Sequence, residues 1–189
     1  MNDKPLRIVA SIGLAVGGAL GMAGTFAPTA SLRGIAGGID GAAIVMATAL
    51  LTVRFFRTGQ DLIAAGFLAF AVGEGVILSS AAMDLPASVP SFGAGVRLWT
   101  VALVLINGSR AFPPFVRLLG FAAAILFAAT AGQIFLGTQL TPITRPLPFF
   151  AYPVFVATFV GWIWTLPKSD GSQYPERSRT QWSRTNSLQ

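Results

Sequence analysis

The sequence of 189 residues contains no cysteine and no histidine. Without thiolate or imidazole groups, the chain cannot form disulfides, hold iron–sulfur clusters, ligate haem through histidine or build typical zinc sites. It also lacks the usual base at neutral pH, which excludes Ser–His proteolysis inside a membrane. The sequence therefore predicts neither a cofactor nor a metal, and it disfavours enzymatic activity without excluding it.

Charged residues are scarce as well. They make up 11% of the chain against 53% hydrophobic residues, and the mean hydropathy is +0.68. Soluble domains carry about a quarter charged residues, so this composition predicts an integral membrane protein. The 13 basic residues exceed the 7 acidic ones. They cluster at the ends of apolar segments, which favours a role in membrane orientation over nucleic-acid binding.

Six apolar segments are long enough to cross a bilayer as helices. They cover approximately residues 6–27, 35–53, 62–83, 92–108, 115–136 and 149–166. We therefore predict an all-α polytopic integral membrane protein, with a bundle of six transmembrane helices in a domain of residues 1–167. Residues 168–189 are predicted to form a disordered basic cytoplasmic tail. The first segment resembles a signal peptide, but its long glycine-rich run favours retention.

Basic residues and aromatic residues indicate the orientation of the spans. With a cytoplasmic amino terminus, ten basic residues lie inside and three, Arg33, Arg97 and Arg145, lie outside. This asymmetry predicts that both termini are cytoplasmic, in a multi-pass protein of the plasma (inner) membrane. In the last segment, Tyr152 at one end and Trp162 and Trp164 at the other resemble the aromatic belts of the two interfaces.

One carboxylate, Glu74, lies between two glycines in the middle of the third apolar segment. An ionisable group at this depth is costly and usually functional. A rise of about 1.5 Å per residue puts Asp40, Glu74 and Arg97 at a similar depth in the outer half of the membrane. We predict that the three form one ligand-binding or proton-binding site, in which Arg97 neutralises one acid. Neutral side chains that could support it are Thr100, Asn107, Ser79 and Ser80.

Two structural roles compete with these functional ones. The acids and Arg97 could instead form a buried ion pair that fixes the register of the helices. In the first segment, Gly13, Gly17 and Gly21 share one face, which predicts close packing on another helix. That helix could belong to this chain, to a second copy in a homo-oligomer or to a membrane-protein partner.

The sequence therefore supports two functions of different classes. The first is a small proton-coupled, cation or small-solute transporter or a channel-like protein, built on the charged layer. The alternative is a non-catalytic accessory or assembly subunit of a larger membrane complex, built on the glycine-rich first helix. The lipid bilayer is the one partner predicted in both cases, and nucleic acid in neither. An intramembrane enzyme would need Asp40 and Glu74 to act as paired acids.

Overall fold

The computed structural model describes residues 4–79 and 83–166. Within them the chain forms six α-helices, which confirms the all-α prediction. They are α1 (Lys4–Thr25), α2 (Ala30–Arg57), α3 (Asp61–Ser79), α4 (Leu85–Gly108), α5 (Pro114–Phe135) and α6 (Ala151–Thr165). The first five are long and apolar enough to cross a membrane, whereas α6 has 15 residues. At about 1.5 Å per residue α6 is shorter than a hydrocarbon core of about 30 Å, so the six-span count stays a prediction.

Two helices begin well before the apolar segments that predicted them. Thr29 caps α2 by accepting a hydrogen bond from the Leu32 amide at 3.2 Å, and Asp84 caps α4 through the Ala87 amide at 2.9 Å. Residues 85–91, which the predicted segments leave between two spans, therefore belong to α4. Pro86 lies in the first turn of α4, where an amide hydrogen would have no helical partner anyway. The polar caps extend both helices beyond their apolar parts.

The helices close into a ring. Each packs on the next one in the chain, and α6 packs on α1. The α1–α2, α3–α4 and α5–α6 connections border a common cavity at one end of the bundle, which we call the cavity end. The α2–α3 and α4–α5 connections meet at the opposite end, which we call the basic end. There Arg7 Nη1 donates a hydrogen bond to the Leu166 carbonyl at 3.2 Å, fastening the start of α1 to the end of α6.

Aromatic side chains fill the interior of the ring. The Phe70 ring of α3 lies at the centre of this cluster, and its centroid is 5.7 Å from Trp99, 5.5 Å from Phe155, 5.9 Å from Phe159 and 6.4 Å from Trp162. Trp162 is 0% exposed, so its assignment as an interface anchor is wrong, whereas Trp164 is 64% exposed. Residues two positions apart on a helix point in directions about 200° apart, so the Trp162 indole faces inward and the Trp164 indole faces outward.

The exterior of the bundle carries large apolar side chains. Ile12, Met46, Leu118, Ile125 and Val160 are each between 58% and 71% exposed. A continuous apolar exterior is costly in water and favourable against lipid. Together with the five long apolar helices, this exterior is typical of a multi-pass membrane protein.

Gly13, Gly17 and Gly21 of α1 lie against α2 of the same chain. A Cβ atom at Gly13 would be 2.9 Å from the Ala43 carbonyl oxygen and 2.9 Å from Ala47 Cβ. Gly17 faces Ile44 in the same way. These small residues let two helix backbones approach closely. This face of α1 is occupied within the chain, so another protein would have to contact a different face.

Candidate functional site

A cavity of about 490 Å³ opens at the cavity end of the bundle. Its wall is built from the second half of α1, the first half of α2, the end of α3, the start of α4, the α5–α6 connection and the start of α6. Asp40 and Glu74 both line it, as do the rings of Phe92, Trp99 and Tyr152. The ring of helices thus brings both predicted acids to one aromatic-walled space.

Glu74 is the more deeply buried acid. Its side chain, on α3, is 4% exposed. One oxygen, Oε1, lies against Gly41 of α2, where a Cβ atom would be 3.2 Å away. The other oxygen, Oε2, has no hydrogen-bond partner among the residues that the structure describes. A buried carboxylate oxygen without a partner is costly, which marks this atom as a place for a ligand or a proton.

Asp40 lies on α2 beside the glycines of α1. A Cβ atom at Gly17 would be 3.2 Å from Asp40 Oδ1, and one at Gly21 would be 2.8 Å from Oδ2. The absence of side chains at these two glycines makes the room that the carboxylate occupies. Within the described part of the chain, Oδ1 is buried and lacks a hydrogen-bond partner. Asp40 is close enough to Glu74 for their charges to interact, so the two acids form one electrostatic unit.

Trp99 and Tyr152 form the aromatic side of the cavity. Their ring centroids are 6.2 Å apart, with the planes at 88°. The indole of Trp99 lies beside the Glu74 carboxylate. Its Nε1 atom is buried without a hydrogen bond of ordinary geometry among residues 4–79 and 83–166, and its N–H is a donor within reach of this carboxylate. Sequence reasoning assigned Tyr152 to the membrane interface; the structure places it in the wall of the cavity.

Of the basic side chains that the structure describes, Arg33 of α2 is the one that faces the cavity. It precedes Asp40 by seven residues, which is two helical turns, so both side chains lie on the same face. Its Nη2 atom donates to the Ala27 carbonyl at 3.4 Å. Sequence reasoning missed Arg33 because it began α2 at residue 35 and left the arginine in a turn. The seven-residue spacing to Asp40 was the signal that could have found it.

Arg97 does not join the two acids. Its side chain is exposed on α4, with the guanidinium carbon 5.3 Å from the centroid of the Phe135 ring. The cavity-facing residue of this turn is Trp99, which is two positions and therefore about 200° away. The rise along the helix gives only an expected level for Arg97, and its direction around the helix takes it away from the cavity.

The neutral residues predicted to support the site act within their own helices. Thr100 donates to the Val96 carbonyl at 3.0 Å, and Ser79 donates to the Val76 carbonyl at 2.7 Å. Asn107 is fully buried, donates to the Leu103 carbonyl at 2.8 Å and packs against Gly120 of α5. None of these three lines the cavity, and Ser80 lies outside the described residues.

No protein-family model, curated protein or solved structure matches this chain. Among residues 4–79 and 83–166, no group of three or more acidic side chains is placed to hold a metal ion. The function is therefore inferred from the chemistry of the cavity.

Proposed function

We propose that this chain is a small membrane transport protein that binds a proton or a small cation on Asp40 and Glu74. The observation that carries the proposal is the buried Glu74 carboxylate, whose Oε2 atom has no partner in the described part of the chain while the residue lines a cavity. An unpaired charge at this position is expensive, and intramembrane acids that face cavities typically lie on ion or proton pathways. A second acid beside it adds to the attraction for a positive charge.

The proposal includes an orientation in which the cavity faces outward. Six described basic residues lie in the half of the bundle towards the basic end: Lys4, Arg7, Arg54, Arg57, Arg110 and Arg117. Three lie towards the cavity end: Arg33, Arg97 and Arg145. Basic residues favour the cytoplasmic side, which supports six spans with both termini cytoplasmic in the plasma (inner) membrane.

The floor of the cavity favours a transporter over an open channel. Trp99 stacks on Phe70 at 5.7 Å and on Phe155 at 5.0 Å, so the aromatic cluster fills the bundle below the acids. Passage through this packed interior requires a second arrangement of the helices, as in alternating access. The described state then corresponds to the one open to the outside.

Ion flux into liposomes that contain the purified protein tests this proposal. A gradient of protons, sodium or potassium is imposed, and uptake is followed with a trapped indicator dye. The test variants are Asp40→Asn and Glu74→Gln, which keep shape and remove charge. Asp61→Asn is the matched control, because Asp61 is an exposed carboxylate at the start of α3, at the basic end.

Flux above that of empty liposomes is expected for the unchanged protein and for Asp61→Asn. Asp40→Asn and Glu74→Gln, with helix content and gel-filtration profile unchanged, are expected to fall to background. Flux of the same size in all four proteins would refute the proposal. Absence of flux from the unchanged protein, with a membrane protein co-purifying in fixed ratio, would favour the accessory-subunit alternative.

Cysteine labelling tests the orientation, since the chain has no native cysteine. Thr138 lies in the α5–α6 connection and Thr58 at the end of α2, and both are exposed. In intact cells a membrane-impermeant maleimide should label Thr138→Cys and leave Thr58→Cys unlabelled until the cells are opened. The reverse pattern would overturn the outward orientation of the cavity.

A further inference from the structure

The two carboxylates that line the cavity point to the chemistry of its ligand. Asp40 Oδ1 and Glu74 Oε2 are both buried, and among the described residues neither accepts a hydrogen bond. Both belong to carboxylates, and they lie on neighbouring helices of one cavity. A group in the cavity that carries positive charge and several N–H donors would complement both carboxylates.

The rest of the wall is mostly apolar. Besides the acids, it presents the side chains of Leu20, Ile77, Leu78, Phe92, Trp99 and Tyr152. A hydrated inorganic ion would leave this surface facing water, whereas an apolar body on the ligand would bury it. The volume of about 490 Å³ lies within the range of sites that enclose a drug-sized molecule.

The aromatic rings also lie close to the position that a bound cation would occupy. Trp99 lies beside Glu74, and the Tyr152 ring is 6.2 Å from that of Trp99. A positive group held by Glu74 would therefore lie near the electron-rich rings as well, and such contacts stabilise organic cations. Acid and aromatic side chains act on the same part of the ligand.

We propose that the cavity binds a lipophilic organic cation, with its ammonium or guanidinium group on Asp40 and Glu74 and its aromatic or aliphatic body against the apolar wall. This inference rests on the transport proposal above and adds an organic cation to the proton or small cation proposed there. Among residues 4–79 and 83–166, the cavity faces three acidic side chains, Asp40, Glu74 and Asp84, and one basic side chain, Arg33. The two turns between Arg33 and Asp40 place the arginine about 10 Å nearer the mouth.

Arg33 raises the competing case of a zwitterionic ligand. Such a ligand would put its amine on the acids and its anionic group on the guanidinium. The two cases predict opposite effects of Arg33→Gln. Removing a positive charge from the wall strengthens the binding of a cation, but it weakens the binding of a zwitterion.

Equilibrium dialysis of ethidium against the purified full chain in a non-ionic detergent tests the inference. Ethidium is a permanent aromatic cation with N–H donors, and dihydroethidium is its uncharged counterpart. We expect saturable binding of ethidium, weakened by roughly tenfold or more in Asp40→Asn and in Glu74→Gln. Asp61→Asn should bind as the unchanged protein does, and Arg33→Gln should bind more tightly. Dihydroethidium and tetramethylammonium, which lack the charge and the aromatic body respectively, should compete weakly.

Three results would overturn the inference. They are equal binding of dihydroethidium, unchanged ethidium binding in both acid variants while they remain folded, and loss of binding in Arg33→Gln. Failure of this inference and failure of the transport proposal give different results. If proton flux depends on Glu74 but the protein does not bind ethidium, only the assignment of an organic cation as the ligand is refuted. If ethidium binding depends on both acids but neither ethidium nor any ion is transported, only the proposed transport function is refuted.

Discussion

The substitution Gly13→Ala tests the close packing of α1 on α2, which shapes one wall of the cavity. The added methyl would lie 2.9 Å from the Ala43 carbonyl oxygen and 2.9 Å from Ala47 Cβ. Neither atom can rotate away, because one belongs to the helix backbone and the other is attached directly to it. Carbon atoms prefer separations of about 3.5–4.0 Å, so the helices would have to move apart by roughly 0.6–1 Å.

The expected cost follows from two opposing effects. Overpacking of this kind costs about 1–3 kcal/mol. Replacing glycine by alanine inside a helix contributes about 0.5–1 kcal/mol in the other direction. Gly38→Ala in α2 is the matched control, since a methyl there meets no atom within 4 Å. Gly38→Ala therefore gains the higher helix preference of alanine without the close contacts that the methyl makes at residue 13. The difference in unfolding free energy between the two variants should therefore be about 1–3 kcal/mol.

The measurement is reversible unfolding in mixed lipid–detergent micelles, titrated with a denaturing detergent and followed by helix content. Adding Ala47→Gly to Gly13→Ala removes one of the two close contacts and should recover part of the lost stability. If Gly13→Ala is as stable as Gly38→Ala, the α1–α2 contact is looser than described. The close approach of α1 to α2 that leaves room for Asp40 beside Gly17 and Gly21 would then be absent as well.

Three further substitutions have definite expected results. Gly21→Ala puts a methyl 2.8 Å from Asp40 Oδ2, which belongs to a flexible carboxylate. This variant should therefore weaken ethidium binding with little loss of stability. Gly18→Ala is its control, because the added methyl makes only ordinary contacts and should not weaken binding. Gly120→Ala overlaps the buried Asn107 side chain and should cost about 1–3 kcal/mol in detergent unfolding, most of it recovered by adding Asn107→Ala. Trp162→Ala leaves a hole in the aromatic cluster and should cost about 3–5 kcal/mol; a loss below about 1 kcal/mol would contradict the central position of this ring.

The helices and their order were predictable because they depend on local sequence. Apolar runs of about 20 residues, interrupted by proline and charge, mark the helical segments. The polar starts of α2 and α4 were missed, since Thr29 and Asp84 precede residues that are not apolar enough to read as a span. Capping is a local signal too, but hydropathy does not measure it.

The candidate site was predictable in part. The approach of Asp40 and Glu74 to one cavity is consistent with the similar levels that a constant helical rise predicts for them. Sequence reasoning gave no reliable direction around the helix for Arg97, which points away, and it left Arg33 outside its helix altogether. Tyr152 reaches the cavity only because α6 closes the ring of helices. That closure depends on packing between distant parts of the chain, which no local pattern records.

We propose that Asp40 and Glu74 together hold the positive group of a ligand inside the cavity. Anomalous diffraction from crystals soaked with 4-iodobenzylammonium can show this, because the iodine marks the apolar body of a simple organic cation. We expect one strong iodine peak among Phe92, Trp99 and Tyr152, with the ammonium in hydrogen-bonding distance of both carboxylates. The peak should be absent from crystals of Glu74→Gln. Iodine bound solely on the apolar exterior, or a cavity peak that persists unchanged in Glu74→Gln, would contradict the claim.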